Sequence, residues 1–479
     1  MGKEAYSSPM KSYQFPKDFV WGAATAALQI EGGLTADGRG PSVWDVFCAQ
    51  NPDKIHEQAT PATACDHYTR WQEDIKLMSQ IGLTGYRFSI AWPRLFPQGR
   101  GKLNEAGADF YDRLIDGLLE AGIEPNVTLY HWDLPQTLVD ELGGGWEKRE
   151  TVTAFLKYAQ TALQRYGDRV KIWASINEPA WTTLNGYVTG LHPPCKQDFK
   201  EGIQAATNML LAHALVYEQK TLLCPNNKMG LVLNMSQVHP ADPASADDIR
   251  AARMADGVLN RWFFEPVLRG TFPRDIWAIY EKRSLLPELE DEDRKLLSKP
   301  ACDYVGVNYY YPHYATARAE KTDFHLNTSG HSKEECRFSI GGCFSFVRNS
   351  KGRYTEWGWE IDASGLYDLL LRVHDVRPDI PIYVTENGIG RQEELLDGTV
   401  DDQGRIEFIR DHLIAIYEAR AKGADVRGYY LWSLMDNFSW INGFKKRYGL
   451  LFVESQTQDR YAKKSSVWYG DVARNNGFD

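Results

Sequence analysis

Two carboxylates stand where strands should end. In Pro381-Ile-Tyr-Val-Thr-Glu-Asn-Gly388, four strand-forming residues precede Glu386, and an Asn-Gly pair then turns the chain away. Asn177-Glu178-Pro179 repeats the arrangement at the end of the run 170–177. A lone Glu at a strand end is ordinarily a salt-bridge partner. Two of them facing one opening suit glycoside hydrolysis, in which one carboxyl, its pKa raised, protonates the leaving oxygen. The other must be ionised to attack or to activate water. A separation of about 5–5.5 Å means retention through a covalent intermediate, and roughly 6.5–9.5 Å means inversion.

Other residues able to handle a sugar cluster at the ends of apolar runs. Gln29 follows the first run, Arg87 lies in the second, and His131 and Trp132 close the third. Asn177 closes the fourth, Asn308 and Tyr310 the sixth, and Trp432, Ser439 and Trp440 belong to the eighth. Each has an ordinary structural explanation taken singly, but together they converge on one rim. Arg87 is placed to hold Glu386 ionised by opposite charge, and the Tyr310 hydroxyl to hydrogen-bond it. The indoles suit stacking on apolar sugar faces, with Gln29, His131 and Asn177 available for hydroxyl groups.

The elements that must carry these residues form a repeat. Apolar, β-branched runs at 18–25, 84–92, 123–131, 170–177, 228–236, 303–310, 381–387 and 426–435 predict eight strands. Amphipathic stretches lie between them, such as 106–121 with Phe110, Leu114 and Leu118, or 149–166 with Val152, Phe155, Ala159 and Leu163. Strand and helix alternating eight times is the signature of an α/β fold, a single-domain (β/α)8 TIM barrel. No linker or low-complexity tract divides the 479 residues, so 1–479 reads as one catalytic domain, with 1–15 a flexible N-terminal extension. The surplus over the roughly 250 residues of a minimal barrel should sit in long βα loops, at 36–64, 239–258 and 314–358. In such barrels chemistry is built at the strands' C-terminal ends.

Composition narrows the partners. A net charge of −10 without a run of Lys or Arg argues against nucleic acid. No stretch approaches a membrane span, and residues 1–19 lack the apolar core of a signal peptide, so a cytoplasmic protein is expected. Seven scattered Cys without a Cys-x-x-Cys fit free thiols in a reducing compartment. Asn126-Val-Thr and Asn437-Phe-Ser match the glycosylation pattern, but their apolar surroundings argue against surface sugars. Nothing in the residues specifies an oligomeric state.

With these residues in view, the chain resembles glycoside hydrolase family 1, a family of retaining β-glucosidases, β-galactosidases and 6-phospho-β-glycosidases. The resemblance runs nearly end to end. It is carried by Phe19-Val-Trp-Gly-Ala-Ala-Thr-Ala26, Gln29-Ile-Glu-Gly32, Tyr86-Arg-Phe-Ser-Ile-Ala-Trp92, Asn177-Glu-Pro179, Asn308-Tyr-Tyr310, Thr385-Glu-Asn-Gly388 and Trp432-Ser-Leu-Met-Asp436. It implies Glu178 as general acid/base and Glu386 as nucleophile, supported by Arg87 and Tyr310. It also implies Gln29, His131, Asn177, Trp432 and Trp440 around the glycone and Trp359 on the aglycone side. The implied partner is a small β-glycoside or disaccharide, with no metal or organic cofactor.

One position departs from the plain β-glucosidases, which usually carry Glu where this chain has Ser439. The family's 6-phospho-β-glycosidases show a Ser, then a Lys and a Tyr at the spacing of Ser439, Lys446 and Tyr448, and these bind phosphate. A Glu beside phosphate would repel it, whereas Ser removes that repulsion and Lys supplies an opposite charge. Lys-Arg before an aromatic residue is nonetheless common across the family, and Tyr130-His-Trp-Asp133 reads like the unphosphorylated enzymes. Plain and 6-phosphorylated β-glycosides, with glucose or galactose as glycone, therefore both stand as substrates. A sugar-binding barrel without hydrolysis is the reading from a different class, and the presence of both carboxylates argues against it.

Overall fold

Eight parallel strands close into a barrel in the computed structural model, which describes residues 12–325 and 337–479. They are β1 (Val20–Ala24), β2 (Gly85–Ser89), β3 (Glu124–Tyr130), β4 (Ile172–Asn177), β5 (Lys228–Asn234), β6 (Tyr304–Tyr309), β7 (Ile382–Asn387) and β8 (Val426–Trp432). Neighbours pair in chain order, and β8 returns to β1 through Tyr429↔Trp21 and Leu431↔Ala23. Every residue of β4, β6 and β7 is buried, as expected of parallel strands covered on both faces.

Each predicted run contains one barrel strand. The largest overhangs are C-terminal, where 84–92 shrinks to Gly85–Ser89 and 426–435 to Val426–Trp432. Ile90, Trp92, Leu434 and Met435 are buried beyond the strands: the Trp92 ring packs on Phe155 and Tyr158, and the Ile90 and Leu434 amides still donate to the Thr128 and Ala24 carbonyls.

A principal helix follows each strand: α1 (His67–Ile81), α2 (Glu105–Glu120), α3 (Arg149–Tyr166), α4 (Phe199–Leu223), α5 (Trp262–Arg269), α6 (Ser364–Val376), α7 (Gln403–Ala421) and α8 (Lys464–Asn475). The predicted stripe of α2 is the face it buries, with Phe110, Leu114 and Leu118 joined by Tyr111 and Ile115. The Asp198 side chain accepts from the Lys200 and Glu201 amides at the start of α4, satisfying donors that a helix leaves open. One hydrophobic cluster reaches from Tyr13 to Ala473.

The described surplus residues include regular elements. Residues 239–258 contain the helix Ala246–Asp256, and 314–358 supplies most of a second, five-stranded sheet. That sheet runs Asp323–His325, Arg337–Ile340, Phe344–Val347, His313–Thr316, Val238–Pro240. Within the expected extension 1–15, Tyr13–Gln14 pairs with Gly477–Phe478, and residues 1–11 lie outside the described residues. The Tyr13 ring stacks on Phe478 at 5.1 Å and meets Tyr417 edge-on at 5.3 Å, which pins both chain ends to one place.

The six described cysteines are free, and Cys336 lies outside the described residues. Asn126 and Asn437 are 0% and 1% exposed, so neither offers a sugar-attachment surface. Among the described residues no helix is long and apolar enough to cross a membrane.

Candidate active site

Arg87, on β2 and wholly buried, is the hub at the C-terminal mouth of the barrel. Its Nη1 donates to Glu386 Oε1 at 2.6 Å and to the Thr385 carbonyl at 3.2 Å, both on β7. Its Nη2 donates to Asn177 Oδ1 on β4 at 2.7 Å, and its Nε to Thr128 Oγ1 on β3 at 3.2 Å. One planar fork thus ties together residues from four strands, a task that a lysine's single nitrogen could not perform.

The partners of Arg87 orient the next ring of groups. The Tyr310 hydroxyl donates to the second oxygen of Glu386, Oε2, at 2.8 Å. The Thr385 hydroxyl donates to Asn308 Oδ1 at 2.8 Å, which turns the Asn308 amide nitrogen toward Glu178 Oε1, also at 2.8 Å. Asn177 Oδ1, occupied by Arg87 and Asn308, leaves its amide nitrogen 3.1 Å from His131 Nε2. Burial and the nearby Arg87 push the His131 pKa well below the usual histidine range, so the ring is neutral. With Nε2 accepting, the proton sits on Nδ1, a buried atom without a partner among the described residues. Gln29 Oε1 is buried and unpartnered in the same way, while its amide nitrogen donates to the Phe438 carbonyl at 2.9 Å. Unsatisfied atoms of this kind are costly unless a ligand's hydroxyls complete them.

The two carboxyls differ in what holds them. Burial, reinforced by the charge of Glu386, pushes Glu178 up to about 8. Burial also pushes Glu386 up, but Arg87 and the hydrogen bonds from Arg87, Tyr310 and Asn308 oppose it. Glu386 therefore stays the more acidic of the two, and Glu178 keeps the proton that a buried pair shares.

Tight backbone turns present these groups. Glu178 has φ 49°, Trp132 φ 75° and Trp440 φ 54°, all in the left-handed region. Such conformations cost about 1–3 kcal/mol each in non-glycine residues and gather at functional sites. After Glu386 the chain must pass against the end of β8. A methyl group on Gly388 would lie 1.8 Å from the Trp432 carbonyl oxygen, so only glycine fits.

Above the carboxyls lies a cavity of about 120 Å³. Most residues singled out in the sequence line it: Gln29, His131, Trp132, Glu178, Asn308, Tyr310, Trp359, Glu386, Trp432, Ser439, Trp440 and Tyr448. Trp432 stacks on His131 at 5.8 Å, and Trp440 packs between Trp132 and Trp44, each at 4.7 Å, which holds the indole walls upright. Arg87 and Asn177 lie beneath the lining as its supports. Lys446, 1% exposed, is not part of the lining; its ammonium sits 4.7 Å from the Trp359 ring and 5.4 Å from Trp357. Burial and the adjacent Lys445 lower its pKa to about 7.

The cavity also has walls that the sequence reading passed over: Trp181, His192, Asn234, Met235, Ser236, Tyr311 and Asn442. Asn234 to Ser236 end the fifth strand run, where the rule about strand ends pointed, and Tyr311 adjoins Tyr310. His192, in the loop before α4, carries no sequence signal of its own.

The same fold and much of the sequence recur among known proteins. The sequence pattern of glycosyl hydrolase family 1 matches residues 11–478. The chain is 39% identical to β-glucosidase A of Acetivibrio thermocellus over 470 residues, covering 98% of this chain and 100% of the relative. It is 41% identical to the aryl-phospho-β-D-glucosidase BglC of Bacillus subtilis over 474 residues, covering 97% and 98%. Among solved structures it is similar to the family 1 β-glucosidase from Thermotoga maritima, with TM-score 0.88, 37% identity, and 98% and 100% of the two chains covered. A closed (β/α)8 barrel, two carboxyls held apart in acidity at its mouth and matches spanning nearly the whole chain lead to one conclusion: this protein belongs to glycosyl hydrolase family 1 and is a retaining glycoside hydrolase.

Proposed function

We propose that the enzyme removes a non-reducing-end, β-linked sugar by double displacement, with Glu178 as acid/base and Glu386 as nucleophile. Glu178, protonated in the resting site, gives its proton to the departing oxygen while ionised Glu386 attacks the anomeric carbon. Glu178, now a carboxylate, takes a proton from water, which attacks the glycosyl-enzyme and releases the sugar. The asymmetry of the pair carries this reading: Arg87 and Tyr310 donate to Glu386, whereas among the described residues a neutral amide alone donates to Glu178. His131 Nδ1, Gln29 Oε1 and the indoles of Trp432 and Trp440 suit the glycone, and Trp359 suits the aglycone. No cofactor takes part, and the site of action is the cytoplasm. Nuclear magnetic resonance of the first sugar released from 4-nitrophenyl β-glucoside tests the pathway. The β-anomer must appear first, and prior appearance of the α-anomer would refute double displacement.

The preferred substrate is a plain β-glucoside, with β-galactosides also accepted. The second reading, a 6-phospho-β-glycoside, draws on Ser439 and Tyr448 both lining the cavity. Lys446, stacked behind Trp359, would have to leave that stack to reach a phosphate. Paired kinetics on the aryl β-glucoside and its 6-phosphate separate the two: higher kcat/KM on the plain sugar sustains the first, and strong preference for the phosphate replaces it with the second.

A further inference from the structure

Below the loop that carries Ser439, Trp440 and Tyr448 lies a set of mostly buried charges that the chemistry does not use. Arg405, on α7 and 1% exposed, donates to Asp402 Oδ2 at 2.8 Å, to Glu393, and to three backbone carbonyls. Two of those carbonyls, Arg447 and Tyr448, each at 3.0 Å, belong to the loop after β8; the third, Ile389, follows Glu386 on the loop after β7. Lys463 bridges Glu393 to Asp436 Oδ1 at 2.7 Å, and Asp436 Oδ2 accepts from Arg447 Nη1 at 3.0 Å. Asp402 is held in turn by the Ser465 amide at 2.8 Å. Three cations, Arg405, Lys463 and Arg447, thus balance three anions, Asp402, Glu393 and Asp436.

Burying five charges beside a part-exposed Arg447 is a poor way to gain stability, because desolvation offsets most of the attraction and apolar packing serves as well. What a guanidinium adds is geometry, since its donors point in set directions. Here they grip the backbone on both sides of a seam, where Arg391 and Arg447 also exchange backbone hydrogen bonds at 3.0 and 3.1 Å. That seam joins the loop that follows Glu386 to the loop bearing Tyr448.

We infer that Arg405, with Glu393 and Lys463, is a positioning cluster that sets how the Ser439–Tyr448 wall reads the outer hydroxyls of the sugar relative to Glu386. The inference rests on the glycosidase reading above. It assigns recognition to residues that never touch substrate.

The test is a ratio insensitive to how much protein folds. The kcat/KM for the better of 4-nitrophenyl β-glucoside and its 6-phosphate is divided by that for 4-nitrophenyl β-xyloside, which lacks the outer hydroxymethyl group. In Arg405→Lys the ratio should fall by about tenfold, since small misplacements at a site carry losses up to the order of 10²-fold. Glu393→Gln should lower it less and in the same direction, and it decides the matter if Arg405→Lys does not fold. Arg165→Lys, which disturbs a part-buried guanidinium paired with Glu105, Asp109 and Asp112 between α2 and α3, should leave the ratio unchanged. An active wild type whose Arg405 and Glu393 variants lose activity with an unchanged ratio overturns the inference alone. A wild type inert on all three glycosides would instead remove the glycosidase reading beneath it.

Discussion

The floor of the cavity and its rim are built by different means. On the floor, Arg87, Asn177, Asn308 and Glu386 are 0 to 3% exposed, and every one is held by hydrogen bonds to residues on other strands. At the rim, Tyr311 and Trp359 are half-buried and are held by ring packing, as in their mutual 5.0 Å contact, and Trp181 is half-buried beside them. Strands allow little play, so groups that must meet a reacting atom stand on strand ends. Loops tolerate substitution, so groups that select a leaving portion stand on loops.

The sharpest way to break this division is at its centre. Glu386→Gln should lower turnover of an unactivated glucoside by about 10³-fold or more with the fold intact, because it removes the carboxylate proposed as nucleophile. Near-wild-type turnover in the purified variant would end the mechanism. Arg87→Met should come next, lowering kcat by roughly 10²-fold or more and lowering stability by about 3–5 kcal/mol, since it strands Glu386 as an unpaired buried charge. Denaturant unfolding alongside steady-state kinetics checks both parts.

Rim substitutions should redirect the enzyme more than disable it. Ser439→Glu should depress activity on a 6-phosphorylated glucoside relative to the plain one, through repulsion between carboxylate and phosphate. Competition kinetics on the two sugars measure it, and an unchanged ratio would remove Ser439 from recognition. Trp359→Ala should raise KM for an aryl glucoside by several-fold with little change in kcat, in line with about 0.5–1.5 kcal/mol for an aromatic contact. A large fall in kcat would show the rim acting on the chemistry.

A separate effect concerns stability. Glu178 has its pKa raised from 4.5 to about 8, so the folded state binds more protons than the unfolded one between those values. Stability from this group is full below 4.5 and is lost as pH rises through about 8. Glu178→Gln removes that loss, so its Tm should exceed the wild type's above pH 8 and converge with it toward pH 4.5. The rate should fall over the same rise in pH as the wild-type acid deprotonates.

Much of this was legible from residue types and spacing. Eight apolar runs with amphipathic stretches between them imply a barrel, because parallel strands covered by helices leave that pattern. Glu178, Glu386, Arg87 and Tyr310 stood out because charged or polar groups have little reason to end such runs. The second sheet was not legible. Its strands Phe344–Val347 and His313–Thr316 are short, pair across a long stretch of chain and carry no periodicity long enough to register.

The sequence by itself determined the barrel, the acid pair and the chemistry the pair could perform, since these follow from local pattern and residue type. Tertiary structure decided which partners each carboxyl has, and so which of them holds the proton. It turned Asn308 to Glu178 through Thr385, placed Lys446 behind Trp359, and bound the loop of Tyr448 to the loop that follows Glu386 through Arg405. Such pairings depend on angles and distances between residues far apart in the chain, which no spacing along it encodes.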